Sequence, residues 1–169
     1  AGDGGGRGPS VLAALSLRGC GVGARGVGLL MDNLARGGAR VRRLVLQDNK
    51  LGLAAARHIA ATLPSNRYLR SLSLRRNNIG DEGLALLAAA LVRAGAAATT
   101  AEATERHHST SGGGNAGGND NALLPGLTAL DLSGNGITDR GVRALTEQAG
   151  SGPRRPLRLV RLGLRSNRI

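Results

Sequence analysis

The sequence has almost no aromatic residues: among its 169 positions, Tyr68 is the single Tyr, and neither Trp nor Phe occurs. Hydrophobic residues nevertheless make up 41% of the chain, which is enough for a core. That core must be built from Leu, Val, Ile and Ala, and such side chains suit thin stacked layers better than a bulky globular centre. At this length one domain is the default expectation.

Cysteine and long apolar runs are also scarce. Cys20 is the single cysteine, so the chain can build neither an internal disulfide framework nor a Cys-based zinc site. No apolar run approaches the roughly 20 residues of a membrane-spanning helix. We therefore expect no membrane partner and a reducing intracellular compartment, cytoplasmic or nuclear. The chain starts without Met and shows no signal-peptide pattern, so we expect a fragment of a longer repeat array and leave its targeting undecided.

Lysine and acidic residues are few as well. The chain carries 23 Lys and Arg residues against 11 Asp and Glu residues, a net charge of +12, and Lys50 is the single Lys. This excess of positive charge makes nucleic acid and anionic membranes candidate partners. Arg, Ala and Gly are the residues that GC-rich codons encode, and this bias is the preferred explanation. Recognition of single-stranded nucleic acid uses aromatic stacking, so we expect no specific nucleic-acid partner.

Self-similarity dominates what is present. Five segments fit the template L-x-x-L-x-L-x-x-N-x-L/I. The steps between their central leucines are 29, 28, 58 and 32 residues, and the step of 58, about twice the period, indicates a decayed repeat or an insertion. Periods near 28 lie where each strand of such a repeat is followed by a helix. The central leucines are Leu15, Leu44, Leu72, Leu130 and Leu162.

An amphipathic helix is predicted after each of the first four strands. Asp81 and either Thr138 or Asp139 are the predicted N-caps, since their side-chain oxygens can accept orphan backbone N–H groups. Apolar residues at spacing i, i+3, i+7 form the buried stripe of each helix. The stripes are Val27, Leu30 and Leu34, then Ala56, Ile59 and Leu63, then Leu84, Leu87 and Leu91, and finally Val142, Leu145 and Ala149.

Two segments carry a family resemblance. Residues 77–83 read Asn-Asn-Ile-Gly-Asp-Glu-Gly and residues 135–141 read Asn-Gly-Ile-Thr-Asp-Arg-Gly. They resemble the ribonuclease-inhibitor-like leucine-rich repeat family, which includes ribonuclease inhibitor, the Ran GTPase-activating protein and the repeat regions of NOD-like receptors. The resemblance covers residues 11–93 and 124–169. It implies an α/β solenoid, a right-handed superhelix with parallel strands on the concave face and helices on the convex face.

The same resemblance implies a function. We expect a protein-protein interaction module, a scaffold or recognition unit, rather than an enzyme, with no cofactor and no small-molecule substrate. The alternative is a regulator that activates a Ran-like small GTPase.

The chain divides into four predicted parts. Residues 1–10 form a Gly-rich disordered N-terminus, residues 11–93 hold repeats 1–3, and residues 124–169 hold repeat 4 and a truncated repeat 5. Residues 94–123 are predicted to be a flexible insertion, because this low-complexity sequence has too few apolar groups to offset the entropy of ordering. Within it, His107 and His108 are preferred as polar linker residues over metal ligands.

Two further motifs are interpreted structurally. Gly21–Gly26 matches G-x-G-x-x-G, but Gly26 recurs as Gly83 and Gly141 at the same repeat position, so a turn, and not a nucleotide, is the preferred cause. The turn Asn of each repeat is predicted to bridge backbone groups of adjacent turns, because its amide both donates and accepts. This structural ladder comprises Cys20, Asn49, Asn77, Asn135 and Asn167.

Strand alternation predicts the binding face. In each L-x-L the leucines point inward, so the intervening and flanking residues point onto the concave sheet. The intervening residues are small or short, which leaves room for a partner. Arginines in the outer columns indicate a protein partner with an acidic surface, with solubilising charge as the other interpretation. The predicted protein-binding residues are Arg18, Arg43, Arg75, Asp131, Arg161 and Arg165.

Overall fold

Strands and helices alternate along the chain. The computed structural model describes residues 12–37, 39–108, 126–150 and 159–169. In the described residues the order is β1 (Ala14–Ser16), α1 (Ala24–Ala35), β2 (Arg43–Val45), α2 (Gly52–Thr62), a short 3-10 helix (Leu63–Ser65), β3 (Ser71–Ser73), α3 (Gly80–His108), β4 (Ala129–Asp131), α4 (Asp139–Gly150) and β5 (Arg161–Gly163).

The five strands form one parallel sheet in sequence order. The central leucines of the repeats are direct partners across it, so Leu72 of β3 lies between Leu44 of β2 and Leu130 of β4. Because β3 pairs directly with β4, the step of 58 residues is an insertion and not a decayed repeat with its own strand in the sheet. The predicted register and the α/β solenoid are confirmed.

One aliphatic core lies between the sheet and the row of helices. Leu46, Leu74 and Leu132, one residue beyond β2, β3 and β4, are fully buried in consecutive layers. Full burial of such a side chain stabilises the fold by about 1.5–3 kcal/mol, and neighbouring repeats supply much of that burial. The outer layers are less covered: Leu12 is 49% exposed and Ile169 is 59% exposed. The interior is therefore continuous through the stack and thins at both ends.

The third helix is longer than the sequence predicts. α3 has 29 residues and continues to His108, whereas the flexible insertion was predicted to begin at residue 94. The backbone is therefore helical over residues 94–108, which were predicted to be part of the insertion. Residues 1–10 and 109–123, the other segments predicted to be flexible, lie outside the described residues, as do the side chains of His107 and His108.

The recurrent glycines leave room both for a turn residue and for the preceding helix. Gly83 and Gly141 lie within the first turns of α3 and α4. A Cβ added at Gly83 would overlap the Ile79 side chain and lie 3.2 Å from the Cβ of Ala56 on α2. At Gly141 it would lie 3.2 Å from the Cα of Asp81 on α3. The residue four places earlier, in the turn, is also close to the added Cβ at all three positions: Val22 at 3.2 Å from Gly26, Ile79 at Gly83, and Ile137 at 3.0 Å from Gly141. The turn therefore contributes as predicted, and at Gly83 and Gly141 the preceding helix is a second reason for a small residue.

One of the predicted N-caps is also corrected. Thr138 immediately precedes α4, and its Oγ accepts a hydrogen bond from the backbone N–H of Arg140 at 3.3 Å, as an N-cap does. Asp81 lies inside α3 and reaches the next repeat instead. Its carboxylate accepts hydrogen bonds from the backbone N–H and the hydroxyl of Thr138, both at 2.7 Å. Asp81 therefore connects repeats 3 and 4 rather than capping its own helix.

Candidate functional site

The parallel register arranges the outward side chains of the sheet in three columns. The first column consists of the residues immediately before the central leucines, and the middle column consists of the residues immediately after them. The third column consists of the residues two positions beyond the middle column. The first column is Ala14, Arg43, Ser71, Ala129 and Arg161; the middle column is Ser16, Val45, Ser73, Asp131 and Gly163; the third column is Arg18, Gln47, Arg75, Ser133 and Arg165.

A groove lies across β2 to β5 on this face. It has a volume of about 620 Å³ and is lined by the first and middle columns. Arg43 and Arg161 stand at its two ends and are exposed, while Ser71 and Ala129 between them are short. Val160, which also lines the groove, is 80% exposed and adds an apolar surface. The groove thus combines two cationic ends with a floor of small side chains.

Asp131 projects from the floor of the groove. Its Oδ1 accepts a hydrogen bond from the backbone N–H of Ser133 at 3.0 Å, which fixes the carboxylate at the end of β4. On the side of β5 it faces Gly163, where a Cβ would come within 2.8 Å of the same oxygen. Glycine at 163 therefore gives the carboxylate the space that it occupies.

An ion-pair network lies beside the third column, in the turns that follow the strands. Arg18 Nε donates to Asp48 Oδ2 at 3.2 Å, and Arg76 Nη1 lies 4.0 Å from Asp48 Oδ1. Gln47 Nε2 donates to the same carboxylate at 3.1 Å. Asp48 therefore links repeats 1, 2 and 3 and offsets the charge of Arg18. This role of Asp48 was not predicted from the sequence. The signal for it was that Asp48 occupies the same repeat position as Gly19 and Arg76, between which it lies in the stack.

Positive charge continues onto the edge where the strands begin. Burial of its guanidinium, and then the nearby charge of Arg42, lower the pKa of Arg70. Arg70 is held in place because its Nη1 donates to the backbone carbonyl of Arg67 at 3.0 Å. The Arg40 guanidinium lies 5.5 Å from the centre of the Tyr68 ring, within the range of a cation–π contact. These arginines, absent from the predicted set, extend the basic surface beyond the groove.

The turn asparagines connect consecutive repeats through the backbone. The Oδ1 atom of Asn77 accepts from the backbone N–H of Asn49 at 2.8 Å, and its Nδ2 donates to the carbonyl of Leu46 at 2.8 Å. Asn49, Asn135 and Asn167 make the corresponding contacts with the repeat before them. The Cys20 Sγ donates to the carbonyl of Arg18 in its own turn at 3.5 Å. These amides are engaged within the stack.

The predicted binding residues divide into two groups. Arg43, Asp131 and Arg161 line the same groove. Arg18, Arg75 and Arg165 occupy the third column, where Arg75 is partly buried and the other two are exposed. The first group is the one that the fold brings together around an open space.

Other kinds of site find little support in the part of the chain that the structure describes. There, no three His, Cys, Asp or Glu side chains are grouped as a metal ion would require. None of the described helices has both the length and the apolar character needed to cross a membrane.

Comparisons with known proteins agree with the repeat pattern. A family model described as Leucine Rich repeat matches residues 65–88 and 125–145. The chain is 33% identical to ribonuclease inhibitor of Sus scrofa over 84 residues, which are 50% of this chain and 18% of that protein. It is 30% identical over 136 residues to NACHT, LRR and PYD domains-containing protein 12 of Homo sapiens, covering 80% of this chain and 13% of the relative.

A third similar protein gives the same picture. NACHT, LRR and PYD domains-containing protein 5 of Bos taurus is 29% identical over 136 residues, 80% of this chain and 12% of the relative. The chain thus spans less than a fifth of the length of each of these relatives.

Proposed function

Because this chain is a leucine-rich repeat protein of the ribonuclease-inhibitor-like kind, we propose that it binds a protein partner on its concave sheet, as a scaffold or recognition module without catalysis. The groove between Arg43 and Arg161 is the observation that carries this proposal. Both guanidiniums are exposed, and neither has a carboxylate partner within ion-pair distance among the described residues.

Charge indicates the kind of partner. Adjacent strands of a sheet lie about 4.8 Å apart, so three strand steps separate the backbones of Arg43 and Arg161 by about 14 Å. Carboxylates at that spacing on a partner surface can each meet one guanidinium, and such pairing sets orientation and association rate more than affinity. The exposed side chain of Val160 supplies apolar contact beside one of them. The partner is therefore a protein with an acidic surface.

The relatives fit this proposal. One of them is named as an inhibitor of a ribonuclease, and its target is thus a protein. We extend to this chain only the general mode, recognition of a protein. A reducing cytoplasmic or nuclear compartment suits the exposed thiol of Cys20 and belongs to the same proposal. Activation of a Ran-like GTPase, the alternative from the resemblance, gains no support from these relatives or from the described side chains.

A capture experiment with matched charge variants tests the proposal. The purified protein is immobilised and exposed to an extract of its own source cells, and retained proteins are identified by mass spectrometry. The variant R43E/R161E reverses both ends of the groove. The control R25E/R57E makes the same charge change at exposed positions of α1 and α2.

We expect proteins that are retained by the wild type and by R25E/R57E and lost from R43E/R161E. Equal losses from the two variants would show attraction by net charge alone. Equal retention by all three proteins would place the binding surface elsewhere. Either result would contradict binding in the groove.

A further inference from the structure

One acidic side chain stands alone on the basic face. Among the fifteen residues of the three columns, Asp131 is the only Asp or Glu. It lies in the groove between the ends marked by Arg43 and Arg161. A surface that only attracts acidic groups has no need of a carboxylate at this point, because such a charge repels the same ligand.

The Asp131 carboxylate remains available to a ligand. Among the described residues its hydrogen bond is the one from the Ser133 N–H to Oδ1, and no described guanidinium lies within ion-pair distance of it. Gly163 on the neighbouring strand carries no side chain that would cover it. Asp131 therefore presents negative charge to the groove.

We infer that Asp131 is a specificity determinant: the partner segment places one Lys or Arg side chain against Asp131, between acidic side chains that face Arg43 and Arg161. This inference rests on the proposed function and names the charge pattern of the partner. Purely acidic ligands meet a repulsive charge in the groove, so Asp131 also discriminates against acidic tails and polyanions.

The spacing of the three charges fits an extended segment that crosses the strands. Asp131 lies one strand from Arg161 and two strands from Arg43, and two residues further along the strand than either arginine. At about 4.8 Å per strand and 3.3 Å per residue, the backbone separations are about 8 Å and about 12 Å, so the central cation must lean along the strand to reach Asp131. In an extended chain every second side chain shares a face, and each residue advances about 3.3 Å. An acid-x-cation-x-acid segment therefore spans about 13 Å on one face, which is close to the spacing of the two arginines.

Labelled synthetic peptides test this pattern directly. Two twelve-residue peptides of Ser and Gly carry a central Glu-Ser-Lys-Ser-Glu or Glu-Ser-Glu-Ser-Glu, and fluorescence anisotropy at low ionic strength gives both dissociation constants. The protein variants are wild type, Asp131→Asn and Asp32→Asn. Asparagine at 131 retains an oxygen that can accept from Ser133. Asp32, exposed on α1, controls for the same change in net charge.

We expect the wild type and Asp32→Asn to bind the lysine-centred peptide about three- to fivefold more tightly than the all-acidic peptide, as one exposed ion pair would give. Asp131→Asn should lose most of that preference, mainly by binding the all-acidic peptide better. The R43E/R161E variant should bind both peptides more weakly than the wild type.

Three results would overturn the inference. The first is a preference that survives Asp131→Asn unchanged. The second is a wild type that binds the all-acidic peptide as well as the lysine-centred one, which would leave a plainly acidic partner and the proposed function intact. The third is a failure of both peptides to bind the wild type better than R43E/R161E. The capture experiment judges the proposed function independently of these three.

Discussion

Replacing Asn77 by alanine removes the ladder amide at the centre of the stack. Asn77 is fully buried, and its side chain satisfies the backbone N–H of Asn49 and the carbonyl of Leu46, both at 2.8 Å. These groups belong to residues that are themselves 7% and 0% exposed. Leaving a buried backbone group without a partner costs about 1–3 kcal/mol. Asn49 Nδ2 still donates to the Leu46 carbonyl at 2.9 Å, so the N–H of Asn49 is the group that the substitution leaves without a partner. We therefore expect a loss of about 1–3 kcal/mol in the free energy of unfolding.

The same substitution at the end of the stack provides the control. Asn167 makes the equivalent contacts, to the N–H of Asn135 at 2.8 Å and the carbonyl of Leu132 at 3.0 Å. Asn135 and Leu132 are buried as well, but the Asn167 side chain is only partly buried, so in Asn167→Ala water can reach the backbone groups from the side that Asn167 occupied. We expect Asn167→Ala to cost about 1 kcal/mol, the net value of a typical hydrogen bond.

Urea denaturation followed by circular dichroism at 25 °C and pH 7 measures both variants. The slope of the unfolding free energy against urea should stay close to the wild-type slope, so that the midpoints can be compared. A midpoint shift for Asn77→Ala no larger than that for Asn167→Ala would refute the argument. It would mean that the contribution of a ladder asparagine to the free energy of unfolding does not depend on how deeply it is buried.

Three further predictions concern single contacts. Leu72→Ala leaves a cavity between Leu44 and Leu130 and should cost about 2–5 kcal/mol; an unchanged urea midpoint would contradict its inward placement. Hydrogen bonds from Thr138 lower the pKa of Asp81 in the folded protein. The stabilisation that this carboxylate provides is therefore present above its pKa in the unfolded chain, and it is lost as the pH falls through its lower pKa in the folded protein. Asp81→Asn should therefore destabilise the protein by about 1 kcal/mol at pH 7, and by less in acid. Thermal melts of both proteins from pH 7 to pH 2 measure this, and a stability difference that stays constant with pH would exclude the charged carboxylate as the cause. Lys50→Gly relieves a left-handed φ of 52° and should stabilise by about 0.5 kcal/mol in urea titrations, whereas a loss of stability would show a contact made by Lys50.

The concave columns were predictable because they follow from one local rule. Side chains alternate along a strand, so residues on either side of an inward leucine point outward wherever that strand pairs. This placed Arg43, Asp131 and Arg161 on the same face from the sequence. Their meeting around one groove depended on β3 pairing directly with β4, which the step of 58 residues between Leu72 and Leu130 left open.

Contacts between repeats were harder to predict. The carboxylate of Asp81 suggested an N-cap, because a cap is the local use of an oxygen near a helix start. Its actual partner, Thr138, is 57 residues away and becomes adjacent only when α3 and α4 pack. Likewise, the recurrence of Gly83 and Gly141 and their place after the turn were visible in the sequence, whereas their closeness to the preceding helix was not.

The spacing of leucines and turn asparagines by itself determined the repeat and the inward side of each strand, because both follow from the alternation of side chains within a single segment. Tertiary structure alone decided which charged side chains form ion pairs and which do not. Asp48 joins arginines of repeats 1 and 3, while Asp131 finds no arginine within ion-pair distance among the described residues. The physical reason is that an ion pair depends on distances of a few ångströms between side chains of different repeats, and those distances exist only after the repeats have stacked.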